Sequence, residues 1–256
     1  MKSKTKVKSS IPSLIKADGS EAKTAHNKAE TLNNYFSSVF SDDNLHDQQT
    51  TLDEGTFFGN YLNSFEITKE MVATKLRELN TEKSPGPDKW HPIFLKKIAD
   101  LISSPLSIIF QKSLNEGIVP SQWREATITP IHKKGSKNLD VNYRPVSITS
   151  ILCKLMESII RDKIVNHLDQ NKILSDKQHG FVPLRNCMSN LLICIEKWTE
   201  IIEGGSPIDV IYTDFAKAFD RVSHEKLLQK TKTIGIVGKT LAWINAFLRG
   251  REQRVS

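Results

Sequence analysis

Apolar residues recur at helical spacing along most of this chain, and two short runs read instead as strands. Ala22, Ala25, Ala29, Leu32 and Phe36 predict a helix across 21–40, with Tyr35, Val39 and Phe40 widening its stripe. Residues 1–20 read as a flexible lead-in, and a polar, acidic stretch runs from Ser41 to about Gly59. Thr68 opens a second helix, with Glu70 in its first turn and Met71, Val72, Leu76 and Leu79 on its apolar face. At Ser84-Pro85-Gly86-Pro87-Asp88 two prolines around a glycine make a stiff turn that cannot be helix. A helix then reads from Phe94 to Leu101 through Leu95 and Ile98. Pro105 is placed at the start of the next, which carries Leu106, Ile109, Phe110 and Leu114 and stops at Gly117.

Ala126 to Ile131 alternates at strand period and runs into the basic turn His132-Lys133-Lys134-Gly135. Leu152, Leu155, Met156, Ile159, Ile160, Ile164 and Leu168 mark one face of a long helix. Leu191, Ile195, Trp198 and Ile202 mark another, closed by Gly204-Gly205. A β-rich run from Ile208 delivers Asp214 to its end. Two helices follow, one from Ser223 to about Thr233 and one around Leu241, Ile244 and Phe247. No internal repeat is evident. The pattern is mixed α/β (α+β) and helix-rich.

Composition narrows the class. The 256 residues are 38% hydrophobic and 25% charged, enough apolar material for a sizeable core. Lys plus Arg is 36 against 29 acidic residues, a net charge of +7 that favours a polyanionic partner, nucleic acid before acidic membrane. A merely basic surface is the bland alternative. The lysines of the opening Met1–Lys8 read as a solvated tail. Cys153, Cys187 and Cys194 form no C-x-x-C pair; they read as reduced thiols without disulfide partners, two of them core fillers. No apolar run approaches the roughly 18 residues of a membrane span, and no signal-peptide core stands at the start. An intracellular protein, nuclear or cytoplasmic, is expected.

A carboxylate at the end of a rigid strand is one way to hold a divalent metal against a phosphate. Alone, such an aspartate is more often a turn or a cap. The pattern D-F-x-K-A-F-D-x-V-x-H from Asp214 to His224 is far more specific. It resembles the first catalytic motif of reverse transcriptases from non-LTR retrotransposons, the jockey-like and CR1-like elements. The resemblance implies a fingers-and-palm polymerase performing two-metal nucleotidyl transfer with Mg²⁺ on an RNA template and DNA primer, using deoxynucleoside triphosphates. Asp214 is then the catalytic carboxylate, holding metal with the backbone carbonyl of Phe215. The amides near Ala216 and Lys217 face the triphosphate, and Phe219 lies under the incoming sugar. Asp220 is expected to orient the turn or cap the next helix.

Three further blocks resemble the family in the same order. Trp123 to Ile148 looks like the fingers hairpin, and its matching triphosphate clamp is Lys133, Lys134 and Arg144. Gln178-His179-Gly180-Phe181 through Arg185 matches a template-supporting block, in which Gln178, Gly180, Phe181 and Arg185 are the candidates. Val182-Pro183-Leu184 stands there in place of a more basic run. Ser84 to Asp88 resembles the element that opens these polymerase domains. Arg249, Arg251 and Arg254 supply cations suited to a primer–template backbone, or equally a basic helix end. The implied division is a lead-in and helical connector over 1–80 and the N-terminal portion of the polymerase over 81–256.

The family's second metal-binding block, an aromatic-Ala-Asp-Asp hairpin, follows the first in chain order, and no such block occurs between Asp214 and Ser256. Phe40-Ser41-Asp42-Asp43 looks similar but precedes the Asp214 strand and reads as a helix end and loop. The chain alone is therefore expected to be inactive. A non-catalytic nucleic-acid-binding remnant and a non-functional pseudogene product are the competing readings.

Overall fold

The computed structural model describes residues 11–16, 18–40, 57 and 59–255. The lysine-rich opening, most of the acidic stretch and Ser41, Asp42 and Asp43 lie outside the described residues.

The predicted flexible lead-in is structured where it is described. β1 (Leu14–Ile15) and β2 (Glu21–Ala22) form an antiparallel hairpin, with Leu14 opposite Ala22. Asp18-Gly19 makes the turn: Gly19 takes a φ of 80°, and the Ser20 N–H and hydroxyl both donate to Asp18 Oδ1 at 2.9 and 2.6 Å. Those two bonds hold the Asp18 carboxyl below its usual pKa. Leu14 and Ala22 are fully buried, which anchors the hairpin.

Threonine caps open the next two helices. Thr24 Oγ1 accepts from the Asn27 N–H at the start of α1 (Ala25–Ser37), and Thr68 Oγ1 from the Met71 N–H at the start of α2 (Lys69–Arg77). α3 (Pro92–Lys97) is one short helix with Pro92 in its first turn. α4 (Ala99–Glu116) starts six residues before Pro105, which lies inside it rather than at its head. Ala99, Ser103, Leu106, Phe110 and Leu114 are all buried along one stripe. Pro105 is exposed on the opposite side, where water can satisfy the carbonyl its missing N–H leaves free. Gly117 ends α4 at φ 63°, packed on Ala242.

β3 (Glu125–His132) and β4 (Tyr143–Thr149) form the predicted basic hairpin. β5 (Glu252–Val255) joins β3 in parallel, giving the order β4-β3-β5. The Arg249–Arg254 region read as a helix end is thus partly a sheet strand. α5 (Ile151–Gln170), α6 (Cys187–Glu203), α7 (His224–Thr233) and α8 (Gly238–Leu248) complete the elements.

Two cores result. In the larger, α2, α4, α5 and α8 close on Phe110, Leu114, Met156, Ile159 and Trp243, and the Trp243 indole N–H donates to Ser113 Oγ at 3.0 Å. In the smaller, Leu14, Ala22, Leu32 and Phe36 cover the sheet at Ile128 and Tyr143. Only Cys153 is a core thiol, its pKa pushed up by burial and the Glu157 charge; Cys187 is exposed and Cys194 half-buried. The run from Ile208 to Asp214 is not a strand in either sheet, and α6 has no buried residue. A β-rich sequence becomes a strand only where a neighbouring edge takes up its backbone N–H and C=O groups. Among the described residues none does.

Candidate active site

The β3–β4 hairpin is the best-built part of the site. Its ladder sets Ile131 opposite Arg144 and His132 opposite Tyr143, and the Lys133 N–H donates to Asn142 O at 2.8 Å. The loop beyond is tied internally. Tyr143 donates its hydroxyl to Lys137 O at 2.7 Å, Asn142 Nδ2 donates to Ser136 O at 2.8 Å, and His132 Nε2 lies 3.0 Å from Gly135 O. Burial raises the Tyr143 pKa, so the phenol stays a donor at neutral pH. On this frame Lys133, Lys134 and Arg144 are exposed, with no carboxylate partner among the described residues. Three cations on one rigid hairpin can meet a polyphosphate without first breaking an ion pair.

The Ser84–Asp88 turn is docked at the far end of β4. An added Cβ on Gly86 would come within 2.5 Å of Thr149 O and 2.9 Å of Ser150 Cα, so only glycine fits there. Ser150, the N-cap of α5, donates its hydroxyl to Asp88 Oδ2 at 2.6 Å, while Asp88 Oδ1 is buried without a partner. Sequence reading recognised this turn but not the Asp88–Ser150 clasp; a serine directly before an apolar helix was the available signal.

In the third block Arg185 is committed to its own loop. Its guanidinium donates to the carbonyls of Asp176 at 2.6 Å, Gln178 at 2.9 Å and Ser175 at 3.4 Å. Gln178 Nε2 donates to Gly180 O at 3.1 Å. Phe181, left-handed at φ 61°, projects into solvent beside an open Gly180.

Asp214, Phe215, Ala216, Lys217 and Phe219 all lie exposed on the segment between α6 and α7. Two contacts give this segment its neighbours. Phe219 meets Phe181 edge to face, with ring centroids 6.2 Å apart, joining the 178–185 block to the Asp214 motif. Lys217, held at φ 54°, places Nζ 4.6 Å from the centroid of the Tyr35 ring on α1. Neither contact was legible in the sequence, since the partners are far apart along the chain. The Asp220 and Arg221 N–H groups both donate to Lys217 O, closing the turn, whereas Ser223 supplies the cap of α7.

Arg251 lies over the Phe247 ring at 4.6 Å and donates to Phe247 O at 3.2 Å. Arg249 and Arg254 are exposed, and Arg254 faces Thr127 across the β3–β5 ladder. Strand rise puts that position roughly 20 Å from Lys133 and about 13 Å from the level of Arg144.

Mg²⁺ takes about six oxygens in octahedral geometry, usually with one or two carboxylates. No group of three or more His, Cys, Asp or Glu side chains comes together among the described residues. Asp214 and the Phe215 carbonyl therefore do not by themselves make up a metal centre.

Residues 131–256 match the reverse transcriptase (RNA-dependent DNA polymerase) family. The chain's relatives are polymerases of non-LTR retrotransposons. It is 31% identical over 169 residues to the RNA-directed DNA polymerase from mobile element jockey of Drosophila melanogaster, covering 66% of this chain and 18% of that protein. The probable RNA-directed DNA polymerase from transposon BS of the same organism is 28% identical, with 66% and 19% covered. The corresponding protein from transposon X-element is 25% identical, with 70% and 20% covered. The chain thus spans about a fifth of the length of these relatives.

Proposed function

We propose that this chain supplies the fingers and the first metal-binding segment of the palm in an RNA-directed DNA polymerase of a non-LTR retrotransposon. The observation that carries the reading is the match across 131–256, which contains the whole run from Asp214 to His224. In this reading residues 1–80 are the connector and 81–256 the N-terminal portion of the polymerase. The substrates are an RNA template, a DNA primer and deoxynucleoside triphosphates. Lys133, Lys134 and Arg144 clamp the triphosphate from the hairpin, a role supported by their exposure and lack of ion pairs. Asp214 contributes one carboxylate toward Mg²⁺, and no second metal-ligating side chain stands with it in a group among the described residues. Phe219, braced by Phe181, borders the incoming sugar.

With a single carboxylate in place, the chain alone is expected to give no extension of a primed RNA template. Template-dependent synthesis by this polypeptide that disappears in Asp214→Ala would overturn that expectation. The incomplete donor set beside free cations also favours a second reading, nucleic-acid binding without chemistry. Salt-sensitive RNA binding by a cooperatively folding chain supports it, and aggregation on expression argues against it. No described helix is long and apolar enough to cross a membrane.

A further inference from the structure

An aromatic pair lies outside every block assigned above. Trp90 and Phe94 flank the start of α3 with their rings nearly parallel, 17° apart in plane and 5.7 Å between centroids. They are 45% and 47% exposed, although Leu95 one residue on is buried in the larger core. Lys89, Lys96 and Lys97 lie within three residues of these rings along the chain, all exposed, with no carboxylate partner among the described residues. The nearest acid on the adjoining helix, Asp100, is engaged by Arg77. Lys96 makes one long contact, at 3.4 Å, to Leu79 O.

Two stacked, half-exposed rings with exposed lysines beside them in sequence suit a strand whose bases stack while its phosphates meet the lysines. An apolar protein partner would leave those cations desolvated and unpaired. A duplex would keep its bases stacked on one another. We propose that the Trp90–Phe94 face is a second nucleic-acid contact, a stacking platform for single-stranded RNA outside the catalytic segment. It rests on the reading of this chain as part of an RNA-directed polymerase only for the choice of RNA over single-stranded DNA.

The test is direct because Trp90 is the most exposed indole: Trp123 and Trp243 are buried and Trp198 is half-buried. Titrating the full chain with oligoadenylate should quench tryptophan fluorescence, and Trp90→Phe should remove most of the quench while keeping the affinity by anisotropy. Trp90→Ala with Phe94→Ala should weaken RNA binding about tenfold or more, as loss of base stacking does. Lys96→Glu with Lys97→Glu should flatten the salt dependence by about 1.4 in log–log slope. Single-stranded DNA is run in parallel with RNA, and equal affinity would overturn the choice of RNA. Wild-type binding that the double alanine variant leaves unchanged would overturn the platform and spare the polymerase reading. Equal loss on single-stranded RNA and on duplex DNA would overturn the stacking. A change in sedimentation with unchanged RNA affinity would make the face a protein interface instead. Absence of any RNA binding by the wild-type chain would overturn both the platform and the nucleic-acid reading.

Discussion

Single residues divide here into those that hold the fold and those that are merely displayed. Gly86 and Asp88 belong to the first kind. Gly86→Ala forces backbone apart at Thr149 and Ser150 and is expected to cost about 1–3 kcal/mol by denaturant titration. Asp88→Ala, which strands the Ser150 hydroxyl, is expected to cost a similar amount. Asp214 is of the second kind: Asp214→Ala should leave stability within about 0.5 kcal/mol. The Lys75–Asp162 pair, 2.6 Å apart, joins α2 to α5. Burial raises the Asp162 carboxyl, but hydrogen bonds from Lys75 and Arg161 outweigh it and hold the pKa below its ordinary value. A lowered carboxylate pKa gives stability that is present above the unfolded value, about 3.9, and lost as pH falls through the folded one. Lys75→Met should thus destabilise by about 0.2–1 kcal/mol at pH 7, and the gap to wild type should close as the solution is acidified below about pH 4. A persistent gap in acid would show that packing of the lysine stem, not the charge pair, is responsible.

At the scale of elements, periodicity located most helices because their apolar stripes do face a core. The caps at Thr68 and Ser223 and the stop at Gly117 fell where local chemistry required. Pro105 was misplaced because a proline on the solvent side of a helix costs only a hydrated carbonyl. β5 was missed because a four-residue strand is defined by the partner edge of β3, which no local pattern reveals. α6 has a strong apolar stripe yet buries nothing, and Leu192 and Ile202 are 59% and 63% exposed. That face and the unpaired run from Ile208 are a predicted aggregation site in the isolated chain. Leu192→Glu with Ile202→Glu should raise solubility without lowering the melting temperature. A loss of several degrees would mean that α6 packs in solution after all.

Across the whole molecule, the N-terminal segment has a structural part. α1 and the β1–β2 hairpin cover the same sheet that presents Lys133 and Arg144, and Tyr35 reaches the turn carrying Lys217. Phe36→Ala should therefore cost about 3 kcal/mol and loosen the hairpin, visible as faster amide exchange at Ile128 and Tyr143. The family was legible in the motif residues, which lie close in sequence. The site's geometry was not, because the contacts of Asp88, Tyr35 and Phe181 span long stretches of chain. The most direct measurement is primer extension on an RNA template by the polymerase proposed to contain this chain, wild type beside Asp214→Ala, with the 256-residue chain alone in parallel. The account predicts deoxynucleotide incorporation by the wild-type polymerase alone. Undiminished synthesis by Asp214→Ala would contradict it.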